Sequence, residues 1–306
     1  MSYHNKPSDD VPVTADILAK YDRPGPRYTS YPTVPEWDRA FGAKDYAQAL
    51  EQAVEARDPL AVYVHIPFCR KRCSYCGCNT IVPDAHDWVA DYLRRLECEM
   101  QLVSATLGRA RQVKQIHLGG GTPTFLDTEQ LGRIDAAIMR HFQVAFDCEK
   151  ALEADPRVTT REQLAYLREM GFSRVSLGVQ DLDWAVQEAI GRHQTEEETR
   201  HAYDSCRELG FDSINMDLVY GLPGQTADSF DRTIEKVVGM RPDRLAVYSC
   251  AYLPARLPNQ REMDASTMAT GPAKYEIFAI ARRRLLEGGY RAIGMDHFAL
   301  PTDELA

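Results

Sequence analysis

From residue 45 onward the chain alternates between two hydrophobic periods, and that alternation limits its fold more than any other feature. Apolar runs of strand length fall at 61–67, 113–118, 150–153, 174–179, 213–220 and 244–249. Helical patterns occupy 45–56, 87–106, 128–142, 160–170, 183–190, 196–209, 227–240 and 273–287. Strands separated by helices predict βαβ units and a parallel sheet. Several strands are nearly continuous apolar runs, as required when both sheet faces are covered. Asp127-Thr128-Glu129-Gln130 reads as a helix N-terminal cap and Met170-Gly171-Phe172 as a C-terminal stop. The predicted class is α/β, as a partial, open β/α barrel with parallel strands. A chain of 306 residues is long enough for one large barrel or about two domains.

Polar or special residues cluster at or just after the predicted strand ends: Cys69, Gly119–Thr122, Asp155, Gln180-Asp181, Asp217 with Gly221-Leu222-Pro223, and Cys250. Ligands of barrels and open α/β sheets bind at that edge. Six such ends in register predict one site around the barrel mouth. Residues 1–44 differ: Pro24, Pro26, Pro32 and Pro35 exclude a long helix or a central strand there. Their Tyr and Arg content suggests an extended N-terminal arm laid across the body, with the barrel over 45–306.

Charge removes several classes of function. Lys and Arg number 36 against 45 Asp and Glu, a net charge of −9. That argues against a nucleic-acid protein held by a basic face and against a polybasic membrane binder. No run of about 18 apolar residues is present, so no membrane span is expected. Residues 1–10 are polar without an apolar signal core, so a cytoplasmic protein is expected.

Cysteine is unusual in this composition. Of eight, Cys69, Cys73, Cys76 and Cys78 share one short segment, while Cys98, Cys148, Cys206 and Cys250 are isolated and read as small buried hydrophobes. In a reducing cytosol a tight cluster is more often a metal or redox site than a disulfide framework. Cys69, Cys73 and Cys76 are spaced to hold three corners of a [4Fe–4S] cube, leaving the fourth iron open. Structural zinc usually takes two separated pairs, and no second pair stands out. Arg70, Lys71 and Arg72 would offset the charge of such a cluster. The second strand then runs into Gly119-Gly120-Gly121-Thr122-Pro123-Thr124. Consecutive glycines let backbone approach a ligand closely. The segment is neither a Walker loop nor a dinucleotide fingerprint, since the spacing is wrong for both.

The three-cysteine loop, with Tyr75 before the third cysteine, and Gly119–Pro123 together resemble the radical S-adenosylmethionine enzymes. Further segments narrow the likeness: Arg27-Tyr28-Thr29-Ser30-Tyr31-Pro32, Tyr63 to Cys69, Cys76-Gly77-Cys78-Asn79, Gly178-Val179-Gln180-Asp181, Asn215 to Pro223, and Gly294-Met295-Asp296-His297-Phe298-Ala299. In that order they resemble the oxygen-independent coproporphyrinogen III oxidases over nearly the whole chain. The resemblance implies a [4Fe–4S] cluster on Cys69, Cys73 and Cys76, with Cys78 a non-ligand neighbour, and two S-adenosylmethionine molecules. Tyr63, Gly120 and Glu153 match positions that contact the first molecule. Tyr75, Gly121, Thr122, Gln180, Arg192, Asp217 and Ala251 match positions around the second. The implied reaction turns two propionates of coproporphyrinogen III into vinyl groups, giving protoporphyrinogen IX in haem biosynthesis. A 5′-deoxyadenosyl radical removes hydrogen from the propionate β-carbon, and CO₂ and one electron are lost. The implied partners are the porphyrinogen and an electron-donor protein, for a monomer that binds neither nucleic acid nor membrane.

Each position also has a plainer explanation. Glu153 and Asp217 lie in strand-like runs and could be structural ion-pair or hydrogen-bond members. Arg192 could be a solvated arginine after a helix. His65, His117 and His297 read as core or wall histidines with no catalytic role. Arg23, Arg27 and Arg192 are candidate cations for a polyanionic substrate. A haem chaperone of the same superfamily, an inactive shortened form and a zinc-holding structural protein are the alternative functions. The family pattern continues past residue 306 into a mostly helical C-terminal domain, so this chain is expected to lack it.

Overall fold

The computed structural model describes residues 13–23, 25, 33, 36–38, 40–54, 58–84, 87–108 and 111–306. The 27–32 segment, Arg27 included, lies outside the described residues. Within the segment expected to be an extended arm, a short helix α1 (Ala15–Tyr21) is capped by Thr14, whose hydroxyl accepts from the Ile17 N–H.

Six parallel strands follow one another side by side: β1 (Leu60–Ile66), β2 (Gln112–Gly120), β3 (Gln143–Ala154), β4 (Arg174–Gln180), β5 (Ser213–Tyr220) and β6 (Arg244–Ser249). Two short strands, β7 (Arg291–Ala292) and β8 (His297–Ala299), finish the sheet in the order β6-β8-β7, each antiparallel to its neighbour. β1 and β7 are the edges of the sheet, so the barrel is open, as the expected fold class requires.

The helices are α2 (Ala43–Val54), α3 (Asp87–Leu107), α4 (Thr128–His141), α5 (Arg161–Glu169), α6 (Trp184–Ala189), α7 (Glu196–Glu208), α8 (Ala227–Met240) and α9 (Gly271–Glu287). Four of them start with reciprocal capping boxes: Asp127 with Gln130, Thr160 with Gln163, Thr195 with Glu198, and Thr226 with Ser229. The Asp127 cap is the one read from sequence. The four capped helices each bury one face, such as Leu131, Ile134, Ala137 and Ile138 on α4, against strand residues such as Ile116, Leu152 and Leu177. The core therefore lies between the sheet and its outer helices, and the strand ends are left to carry polar side chains.

Two departures from the sequence reading have physical causes. β3 begins seven residues earlier than expected, because Gln143 and Val144 pair with the start of β2 before a bulge resets the register. Its first half is only partly buried, with Phe146 fully exposed, and its apolar run is just three residues long, Val144 to Phe146. Among the isolated cysteines, Cys206 and Cys250 are buried and Cys148 is half-buried, but Cys98 is exposed on α3.

Asp303 ties the base of the sheet together. Its carboxylate is 3% exposed, accepts from Ser213 Oγ at 2.9 Å and Arg244 Nε at 2.5 Å, and lies 3.6 Å from Arg174 Nη2. Removing one partner of a buried pair leaves the other charges uncompensated. Asp303→Ala is expected to cost about 3–5 kcal/mol, read as a lower urea midpoint at unchanged slope; a midpoint within error of the parent would show that the tie contributes nothing.

Candidate functional site

β1 runs into Pro67-Phe68, and the chain then turns through the cysteine segment across the mouth of the sheet. The turn closes on itself, since Ile81 N–H donates to Pro67 O and Cys69 N–H to Ile81 O. A second segment grips it from outside. After β6 the chain forms a 3₁₀ turn, Pro258–Glu262, whose Asn259 amide donates to the carbonyls of Cys73, Ser74 and Cys76 at 2.9–3.2 Å. The neighbouring Gln260 amide donates to Tyr75 O at 2.9 Å and Ala251 O at 2.8 Å. Ser74 donates its hydroxyl to Glu262 and its N–H to Ile190 O.

The glycine edge of β2 presses on the other side. Gly121 N–H donates to Ile66 O at 2.7 Å. A β-carbon on Gly121 would sit 2.8 Å from Phe68 O and 3.0 Å from Cys69 Sγ. Gly120 takes a positive φ of 116°, open to glycine alone, and a β-carbon there would meet the His65 ring. Thr122 Oγ1 lies 3.5 Å from Cys69 Sγ.

The thiols of Cys69, Cys73 and Cys76 are free and differ in surroundings. Burial pushes the Cys69 thiol up. Hydrogen bonding from Cys78, with Arg72 and Arg192 nearby, lowers Cys76 to about 6 against its burial. Cys73 is buried, with Arg157 Nη2 3.8 Å and Arg192 Nη1 3.7 Å from its sulfur. Three buried side-chain polar atoms lack a partner among the described residues: Arg72 Nε, Thr80 Oγ1 and Asn259 Oδ1. All lie on the cysteine loop or against it, where a bound group would be expected. Among the described residues no three His, Cys, Asp or Glu side chains converge tightly enough to hold a single ion. The donor set, three soft thiols with cationic neighbours, fits an iron–sulfur cluster better than one zinc ion.

Most of the remaining predicted residues come from the strands or the segments that follow them. Glu153 accepts from Gly120 N–H at 3.1 Å, and its other oxygen lies 3.3 Å from His117 Nε2. Tyr63, 56% exposed, stacks on His117 and hydrogen-bonds His65 Nδ1. His65 and His117 are half-buried and His297 is exposed, so they are wall and not core residues. Arg192 is buried, not solvated: it donates to Gly178 O at 2.7 Å and pairs with Asp155. Gln180 holds a left-handed φ of 66° where the β4–β5 register slips, and its amide faces Gly178 beside Arg192. Asp217 accepts from Ser176 Oγ at 2.8 Å and Asn215 Nδ2 at 2.9 Å. Burial, with Glu153 nearby, pushes its carboxyl up to about 6 despite those bonds. Tyr75 packs on the apolar group of Val186, Ile190, Val219 and Leu222, and Gln260 links it to Ala251. Arg23 follows α1, and its Nε donates to Lys20 O.

Sequence reasoning missed Arg157, Asn259 and Gln260, and with them Ser176 and Asn215. Asp155-Pro156-Arg157 follows a strand end, and an acid–arginine pair there was a usable signal. Nothing in the 258–262 segment distinguishes its amides from ordinary loop residues. Asp181, read as part of the strand-end set, is fully buried and is held by Thr233 and Gln225 at 2.6 Å each, as a support beneath the site.

Residues 63–237 match the Radical SAM superfamily. The chain belongs to that superfamily. It is 45% identical to the oxygen-independent coproporphyrinogen III oxidase of Pseudomonas aeruginosa over 300 residues, 97% of this chain and 65% of that protein. Identity to the Escherichia coli K12 protein of the same name is 43%, covering 95% of this chain and 63% of the relative. The solved structure of coproporphyrinogen III oxidase (HemN) from Escherichia coli, described as a radical SAM enzyme, superposes with a TM-score of 0.87 at 41% identity. That match covers 94% of this chain and 64% of the other. This radical SAM chain thus spans a little under two thirds of the length of these relatives.

The raised Asp217 carboxyl has a consequence for stability. An unfolded aspartate titrates at about 3.9, so between about 4 and 6 the folded chain binds the extra proton. The stability this lends is full below about 4 and is lost as pH rises through about 6. Asp217→Asn cannot suffer that loss. Its urea midpoint relative to the parent is expected to climb between about pH 4 and pH 7 and then level off; a difference that stays flat across the series would contradict the raised carboxyl.

Proposed function

We propose that this chain carries out the oxygen-independent oxidative decarboxylation of two propionates of coproporphyrinogen III, giving protoporphyrinogen IX. One observation carries the reading. Three free thiols, on a loop locked between the glycine edge of β2 and the Asn259 turn, stand at the strand ends of a chain aligned over 94–97% of its length with these oxidases. Cys69, Cys73 and Cys76 would hold a [4Fe–4S] cluster. When bound, the cluster and S-adenosylmethionine supply the one-electron cleavage that yields a hydrogen-abstracting 5′-deoxyadenosyl radical.

The chain's own residues bind, orient and exclude water. Glu153 and Tyr63, with the backbone of Gly120, would receive the first S-adenosylmethionine. Glu153 can accept from an amine through the oxygen that faces His117. Tyr75, Gly121, Thr122, Gln180, Arg192, Asp217 and Ala251 would surround the second. Asp217, an anion above about pH 6, can accept from a ribose diol. Two guanidiniums, Arg157 and Arg192, face one carboxylate, Asp155, which leaves one net positive charge beside the anionic ligands. An external one-electron donor is part of the proposal, as is residence in the cytoplasm, where thiols stay reduced. Among the described residues no helix is long and apolar enough to cross a membrane.

The test is anaerobic reconstitution followed by assay with coproporphyrinogen III, S-adenosylmethionine and a chemical reductant. Expected products are CO₂, protoporphyrinogen IX, methionine and 5′-deoxyadenosine, with activity abolished by Cys73→Ser. Tight haem binding without any decarboxylation would favour the haem-chaperone alternative, and bound zinc without iron or sulfide would remove the cluster. Gly121→Ala forces a β-carbon against Phe68 O and Cys69 Sγ, so it must displace the loop. It is expected to retain less iron and acid-labile sulfide than the parent after identical reconstitution; parent-like retention would show that the close approach does not set the loop.

A further inference from the structure

The three thiols do not meet equivalent donors. Cys69 faces the neutral hydroxyl of Thr122, and Cys76 accepts from the neutral backbone N–H of Cys78 at 3.4 Å. Among the described residues, cationic hydrogen-bond donors reach Cys73 alone of the three, from Arg157 at 3.8 Å and Arg192 at 3.7 Å. Cys73 is also the buried one, 7% exposed, so charge beside it is poorly screened.

Arg192 is engaged in several directions at once: Asp155, Gly178 O and the Gln194 side chain. Arg157 is tied to Asp155, two residues before it. Its Nε lies 3.0 and 3.2 Å from the two carboxylate oxygens, its Nη2 2.6 Å from one, and its backbone N–H also donates to that carboxylate. This fork fixes the guanidinium plane, and the same Nη2 that meets Asp155 points at Cys73 Sγ. Holding that geometry costs little side-chain entropy, because the carboxylate comes from the same turn.

We propose that Arg157 is a positioning and tuning residue which, held by Asp155, hydrogen-bonds the Cys73 sulfur and raises the reduction potential of the bound cluster. The inference rests on the reading of Cys73 as a cluster ligand. Hydrogen bonds to ligand sulfurs and local net charge are among the levers that set such potentials. Reduction adds one electron and no proton, so a fixed cation favours the reduced state and a fixed anion opposes it. Arg157 and Asp155 should therefore act with opposite signs.

The experiment is a redox titration, followed by electron paramagnetic resonance, of the full chain reconstituted anaerobically without S-adenosylmethionine. Mediators and dithionite supply the electron. Arg157→Gln should shift the midpoint to more negative potential, on the order of tenfold in the one-electron equilibrium, or about 59 mV. Arg157→Lys keeps the charge but loses the fork, and should fall between the two; it carries the comparison if the glutamine variant reconstitutes poorly. Asp155→Asn should shift the midpoint the other way. A purely structural role would lower the urea midpoints of all three variants without this sign reversal. Unmoved potentials, or shifts of one sign in the Arg157 and Asp155 variants, would overturn the inference while leaving the cluster assignment intact. A parent chain that takes up no cluster would overturn both.

Discussion

The arrangement at the barrel mouth depends on how tightly the cysteine loop is held to the ends of β1 and β2. Gly121 donates to Ile66 O, leaving no room for a side chain between the end of β2 and the Pro67–Phe68 backbone with the Cys69 sulfur. From the opposite side Asn259 binds three loop carbonyls with one amide. A loop on a sheet surface would ordinarily be mobile, since it contributes few apolar contacts. Here hydrogen bonds and steric contact replace apolar burial, so three thiols are preset on a rigid scaffold.

Charge is distributed on the same principle. The chain as a whole is acidic, yet the charges at the cysteine loop are local and paired. Burial pushes the Asp155 carboxyl up, but Arg192 and Arg157 outweigh it and hold it below the usual carboxylate range. Asp217, by contrast, is met by neutral donors and by the field of Glu153, so its carboxyl rises. Two carboxylates, one just past β3 and one within β5, therefore have opposite behaviour, set by whether the nearest groups are guanidiniums or neutral amides and hydroxyls. Net charge indicated neither.

Much of the candidate site was legible in the sequence because most of its predicted residues lie in the strands or just past their C-terminal ends. Once the strands are parallel and in chain order, their C-terminal ends must share one edge. Tyr63, Gly120, Glu153, Asp217 and Ala251 accordingly come together without further information. What was not legible depends on contacts between segments far apart in the chain. Asn259 reaches Cys73 across 186 positions, and Arg157 reaches the same residue across 84. Arg192, which a local reading treats as a solvated residue after a helix, is buried because it fills the space between Gly178 and Asp155.

The sequence by itself determined the parallel α/β architecture, through its alternating periods, and the cysteine and glycine segments, through their spacing. Both are local patterns, and local patterns survive in one dimension. Only the tertiary structure decided which thiol meets cationic donors, which carboxylate is paired, and which amides hold the loop. Those depend on distances between side chains from different strands, and hydrogen-bond and desolvation energies change steeply over an ångström or two.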